Sequence, residues 1–64
     1  MSNTKPVAIV IDEYTMPSGD EVTLQKNSET SFDVDMWRPN GDNHFSKWFN
    51  TEAKARVEFE RWRN

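Results

Sequence analysis

The sequence predicts an α+β chain: a small antiparallel meander of about four strands followed by one C-terminal helix packed on one face. Three observations carry this. Between Ser31 and Phe49, SFDVDMWRPNGDNHFSKWF, two alternating runs flank Asn40-Gly41, a dipeptide suited to a two-residue type I′ hairpin because both turn positions tolerate positive φ. Upstream, the β-branched run Val7 to Ile11 and the alternating stretch Glu21 to Lys26 read as two further strands. Downstream, Glu52 to Arg63 contains no Gly or Pro and follows Asn50-Thr51, which offers an N-cap.

Taken in order, residues 1–5 read as a flexible N-terminus, 6–49 as sheet and 51–63 as helix, in a single domain over 1–64. Pro6 suits the first position of a strand. Val7, Ile9 and Ile11 then point inward, Asp12 points outward, and the strand runs on through Tyr14. Met16-Pro17-Ser18-Gly19-Asp20 is a turn by composition, with Pro for a corner and Gly for positive φ. In the next strand Val22 and Leu24 share one side, and Glu21, Thr23 and Gln25 the other. Asn27 to Thr30 closes the following turn. Centred near Ser28, that turn sets Leu24 opposite Phe32, Val22 opposite Val34, Thr23 opposite Asp33 and Glu21 opposite Asp35. This register keeps the apolar sets together and brings like charges side by side.

A tight turn at Asn40-Gly41 pairs Trp37 with His44, Met36 with Phe45, Asp35 with Ser46, Asp33 with Trp48 and Phe32 with Phe49. The inward set is Phe32, Val34, Met36, Phe45 and Phe49, with Lys47 as a misfit whose ammonium can reach water at the rim. The outward set is Asp33, Asp35, Trp37, His44, Ser46 and Trp48. In the helix, Ala55, Phe59 and Trp62 form the stripe expected on the sheet, with Ala53 and Val57 roughly opposite. Glu52–Arg56 and Lys54–Glu58 have i,i+4 spacing, and Arg61 and Arg63 suit the negative helix end.

At 64 residues the chain sits near the lower limit for a fold without disulfides or metal, burying only about 60% of its unfolded surface. A mean hydropathy of −0.95 is offset by three Trp, four Phe and one Tyr, enough for a small core. The absence of cysteine excludes disulfides and cysteine metal sites and fits a reducing compartment. Val7 to Ile11 is too short to span a membrane and lacks signal-peptide form. The expectation is a complete, monomeric, cytoplasmic protein with no cofactor. Charge is uneven: residues 1–42 hold eight acids and three bases, a balance of −5, and residues 43–64 hold three acids and five bases, a balance of +2.

The candidate site is the outward sheet face, with Asp12, Glu21, Asp33 and Asp35 supplying charge and Trp37 and Trp48 supplying anchors. A solvated face would explain the acids alone; it does not call for exposed tryptophans. Acids about 7 Å apart along a strand, on strands about 5 Å apart, approach the charge density of a nucleic-acid backbone. Such a face fits a basic groove that ordinarily holds DNA or RNA. Asp33-x-Asp35 fails the EF-hand pattern, since Trp37 stands where the third loop ligand belongs, and no metal site is expected. His44, the one histidine, lacks a nucleophile and a cleft, and is expected to stack on Trp37; no catalytic residue is assigned. On the helix, glutamates interleave with the basic residues, which disfavours direct nucleic-acid binding.

Two resemblances bear on function. The strands-then-helix layout with Phe49-Asn50-Thr51-Glu52-Ala53 resembles, over residues 31–64, the arm-type DNA-binding domain at the start of tyrosine recombinases. That resemblance implies a DNA-binding accessory module, although those domains carry basic strands where this chain has Asp33 and Asp35. In size, acidity and lack of cysteine the chain resembles the small phage-borne anti-CRISPR inhibitors, several of which mimic DNA. That resemblance implies an inhibitor acting in the host-cell cytoplasm on a CRISPR effector with a basic DNA-binding channel. A small assembly protein pairing through exposed Trp is the third alternative.

Overall fold

A computed structural model describes residues 8–63. The loose N-terminus, Pro6 and the inward Val7 predicted above lie outside the described residues. Four antiparallel strands, β1 (Ile9–Thr15), β2 (Glu21–Ser28), β3 (Ser31–Trp37) and β4 (Asn43–Phe49), form one open sheet in the order β1-β2-β3-β4, and a single helix, α1 (Glu52–Arg63), packs on it.

The core is the helix stripe on the two central strands. Val22, Leu24, Phe32, Val34 and Met36 are buried beneath Ala55 and Phe59, with Ile11, Tyr14, Met16, Phe45, Phe49 and Trp62 packed around them. The Trp62 and Phe45 rings lie 5.1 Å apart, and Val57 faces solvent as its phase predicts. Thr51 caps the helix: its Oγ1 accepts from the Lys54 amide at 3.3 Å and its carbonyl from the Ala55 amide at 3.2 Å. Lys47, the misfit on the core face, reaches Glu58 at 3.7 Å. Glu58 is buried and also accepts the Trp62 indole N–H at 2.9 Å, so the rim charge meets a satisfied partner. Of the i,i+4 pairs expected in the helix, Arg56 instead joins Asp12 at 2.8 Å and Glu60 at 3.7 Å, and Lys54 reaches Asn50 Oδ1 at 3.4 Å.

Three β-bulges decide which residues share a face. Asn40-Gly41 does not make a type I′ turn, because Gly41 has φ +94° while Asn40 does not have positive φ. The Gly41 amide donates to Arg38 O and the Arg38 amide to Asp42 O, both at 2.8 Å, closing a three-residue loop with Pro39 at its first corner. That loop slips the register by one, and a bulge at His44 slips it back. Trp37 therefore pairs with Asn43, not His44, while Met36–Phe45, Asp35–Ser46, Asp33–Trp48 and Phe32–Phe49 pair as predicted. His44 does not stack on Trp37; its Nδ1 accepts from Arg38 Nη2 at 3.2 Å.

Between β2 and β3 the register lies two residues from the predicted one. Leu24 pairs with Val34, Val22 with Met36, Thr23 with Asp35, Gln25 with Asp33 and Glu21 with Trp37, because the turn tightens to Glu29-Thr30 with Asn27 bulged. An even shift keeps every side chain on its face and separates Glu21 from Asp35. In β1 the shift is odd. A bulge at Ile11 turns the rest of the strand over, so Asp12 pairs with Leu24 on the helix face and not, as predicted, outward. Its carboxylate meets Arg56 at 2.8 Å and Arg63 at 3.5 Å. Ile9, expected inward, is exposed at the strand's start.

The first turn copies the third. Gly19 N donates to Met16 O and Met16 N to Asp20 O, each at 2.8 Å, and Gly19 again has φ +94°. Both loops read Pro-x-Gly-Asp and meet at one end of the sheet: a Cβ on Gly19 would stand 3.2 Å from Pro39 Cγ, whereas one on Gly41 would meet nothing.

Two outcomes follow from this geometry. Gly41→Ala should cost about 1–3 kcal/mol in urea unfolding through backbone strain alone, and Gly19→Ala should cost more; equal losses would show that the turns do not touch. The Arg56 hydrogen bond, helped by the Glu13 amide and the Arg63 charge, holds the Asp12 carboxyl below its usual 3.8. Its stabilisation is therefore present above that value and lost as pH falls through the lower folded-state pKa. Asp12→Asn should unfold more easily than the parent at pH 7, with the gap closing below about pH 4, as thermal scans across pH would record.

Candidate functional site

The helix covers one side of the sheet, and the other carries three cross-strand rows. The middle row is Glu13–Thr23–Asp35–Ser46, flanked by Val10–Gln25–Asp33–Trp48 and by Thr15–Glu21–Trp37–Asn43. Glu21, Asp33, Asp35, Trp37 and Trp48 are thus brought together as the sequence predicts. Asp12 is not among them, and Glu13 takes its place. Sequence reasoning missed Glu13 because nothing in Val10-Ile11-Asp12 marks a bulge. Among the described residues, the strands place four acids and no Lys or Arg on this face. Lys26 and Lys47 point to the helix side, and Arg38 stands in the turn at the edge.

The side chains of the face are held by polar contacts. The bulge at Asn27 brings an amide onto it, which donates to Asp33 Oδ2 at 2.7 Å and Ser31 Oγ at 3.4 Å. Ser31 Oγ also accepts the Trp48 indole N–H at 2.9 Å, which fixes that ring although Trp48 is 60% exposed. Across the His44 bulge, Asn43 Nδ2 donates to Met36 O and Phe45 O, and its Oδ1 accepts from Ser46 Oγ at 3.3 Å. Glu13 and Glu21 are exposed, and neither makes an ion pair among the described residues.

The centre of the face is buried although no second layer covers it among the described residues. Thr23 and Asp35 face each other across β2 and β3 and are each 7% exposed. Thr23 Oγ1 is buried with no hydrogen-bond partner. Burial pushes the Asp35 carboxyl above its usual 3.8, the polar Ser46 hydroxyl across the strand pair opposes this, and the Asp33 charge adds to the rise. Asp35 is buried, and the acids that reach solvent on this face are Glu13, Glu21 and the half-buried Asp33.

His44 contacts Arg38 and Phe45, and no group of three or more metal-ligating side chains forms among the described residues. No described helix is long and apolar enough to cross a membrane.

The buried polar pair gives a direct test. A carboxyl raised on folding costs stability as pH rises from 3.8 through its folded-state pKa, and nothing below it. Asp35→Asn should therefore raise the melting temperature at pH 7 and match the parent near pH 3. Thr23→Val, which removes an unsatisfied hydroxyl, should add roughly 1 kcal/mol in denaturant titrations at any pH. A destabilised Thr23→Val would mean that the hydroxyl has a partner. No known protein family, curated protein or solved structure matches the chain.

Proposed function

We propose that the chain is a non-enzymatic binding protein whose open sheet face occupies a basic, nucleic-acid-binding groove on a partner protein and so excludes DNA or RNA from it. The observation that carries this reading is the segregation of charge. Four acids and two tryptophans stand on one uncovered face with no strand-borne base among them, while Arg56, Arg61 and Arg63 are taken up by Asp12, Glu58 and Glu60. A face of one sign speeds encounter with a groove of the other, and aromatic anchors supply short-range affinity. The resemblance in type to anti-CRISPR inhibitors makes CRISPR effectors the first partners to test. The recombinase-arm alternative has less support, because it needs the helix arginines free for phosphates.

The test is a salt-controlled gel shift with generic duplex DNA, run with this protein alone and then with DNA-binding effectors, CRISPR complexes included, already holding the DNA. Release from an effector without a shift by the protein alone is the expected result. Glu13→Lys combined with Glu21→Lys, at exposed unpaired positions, should weaken release at least tenfold while leaving the fold intact. Undiminished release by that variant, or a direct shift of DNA that fades steeply with salt, would overturn the reading. A protein mass that rises with concentration, with no release, would favour assembly through Trp48.

A further inference from the structure

The twin turns border a groove at one end of the open face. Gly19, Glu21, Trp37, Arg38, Pro39 and Gly41 line a shallow groove of about 410 Å³. Its walls are fixed before anything binds: each turn is closed by two backbone hydrogen bonds, each has Pro at its first corner, and the absence of a side chain at Gly19 lets the loops meet. Glu21 and Trp37 are direct cross-strand partners, so a carboxylate and an indole stand side by side in the groove. Glu21 has no ion-pair partner among the described residues. Arg38, which lines the groove, is not paired with Glu21; its guanidinium is engaged by His44.

We propose that this groove receives an arginine side chain of the partner protein, its guanidinium stacked on Trp37 and donating to the Glu21 carboxylate. The proposal rests on the reading of the open face as a docking surface for a basic partner, and it names the anchoring contact. Charge selects a cation, since the acids of the neighbouring rows add to Glu21. Shape selects arginine over lysine. A planar guanidinium can lie on an indole and still present paired N–H donors to a carboxylate, which a compact ammonium cannot do. Arg38 opposes the cation by like charge, so the groove works in spite of it.

The test uses the isolated chain and N-acetyl-arginine amide as the probe, followed by amide and indole NMR shifts. The expected result is saturable, millimolar binding that moves the Trp37 indole and the Glu21 amide and leaves the Trp48 indole in place. N-acetyl-lysine amide should bind several-fold more weakly. Glu21→Gln, an exposed change that spares the fold, should weaken the probe about tenfold. Arg38→Ala should leave binding unchanged or tighten it. Shifts spread evenly over Glu13, Asp33 and Glu21, or binding abolished by Arg38→Ala, would overturn the proposal. No partner protein enters this titration, so its failure is separable from failure of the DNA-release assay. Arginine binding without release would sink the mimicry reading alone.

Discussion

Phe59 and Ala55, seated on Val22, Leu24, Val34 and Met36, are the contact on which this small protein depends. Among the described residues there is one helix for four strands, enough to close one side of the sheet. Each strand must therefore deliver its apolar residues to the helix side, and whatever lies between them in sequence goes to the open side. The properties of the open face follow from this constraint on the core. The acids at 13, 21, 33 and 35 stand together because the residues alternating with them are needed beneath Phe59 or around it.

Strand alternation made most of this legible in the sequence. The helix stripe Ala55-Phe59-Trp62, the inward sets of β2, β3 and β4, and the grouping of Glu21, Asp33, Asp35, Trp37 and Trp48 all follow from period 2 and period 3.6. What alternation could not show was the bulges, since an extra residue in a strand has no composition of its own. At His44 the bulge cancelled an error in turn length, so the far half of the hairpin came out right for an incomplete reason. At Ile11 nothing cancelled it, and Asp12 and Glu13 exchanged faces. One legible signal went unused. Pro17-Ser18-Gly19-Asp20 and Pro39-Asn40-Gly41-Asp42 agree at three of four positions, and Pro two residues before Gly fits a type I turn ending in a left-handed Gly better than type I′.

The same bulges sort the charges. By turning Asp12 to the helix side, the Ile11 bulge gives Arg56 and Arg63 a shared carboxylate and moves a base-pairing acid off the open face. Glu58 does the same for Lys47 and Arg61. Arg56, Arg61, Arg63 and Lys47 are thereby paired within the fold, and four of the eight acids of residues 1–42 stand on the face opposite the helix. Both bulged outer strands, β1 and β4, are also the sheet's edges, where irregular hydrogen bonding discourages pairing with a second copy.

Departures from ordinary stability rules gather on the open face. A carboxylate is buried beside another acid, a hydroxyl is buried without a partner, and an indole is held by one hydrogen bond into solvent. On the helix side the comparable risks are met: Glu58 has the Trp62 N–H, Lys47 has Glu58, and Thr51 caps the helix. A chain with so small a core has little stability to lose, and valine at 23 and an amide at 35 would relieve it by simple substitution. Uncompensated strain of this kind concentrates where a surface is shaped for something other than folding. Thr23 and Asp35 form the buried floor of the face opposite the helix, between the row that carries Trp37 and the row that carries Trp48.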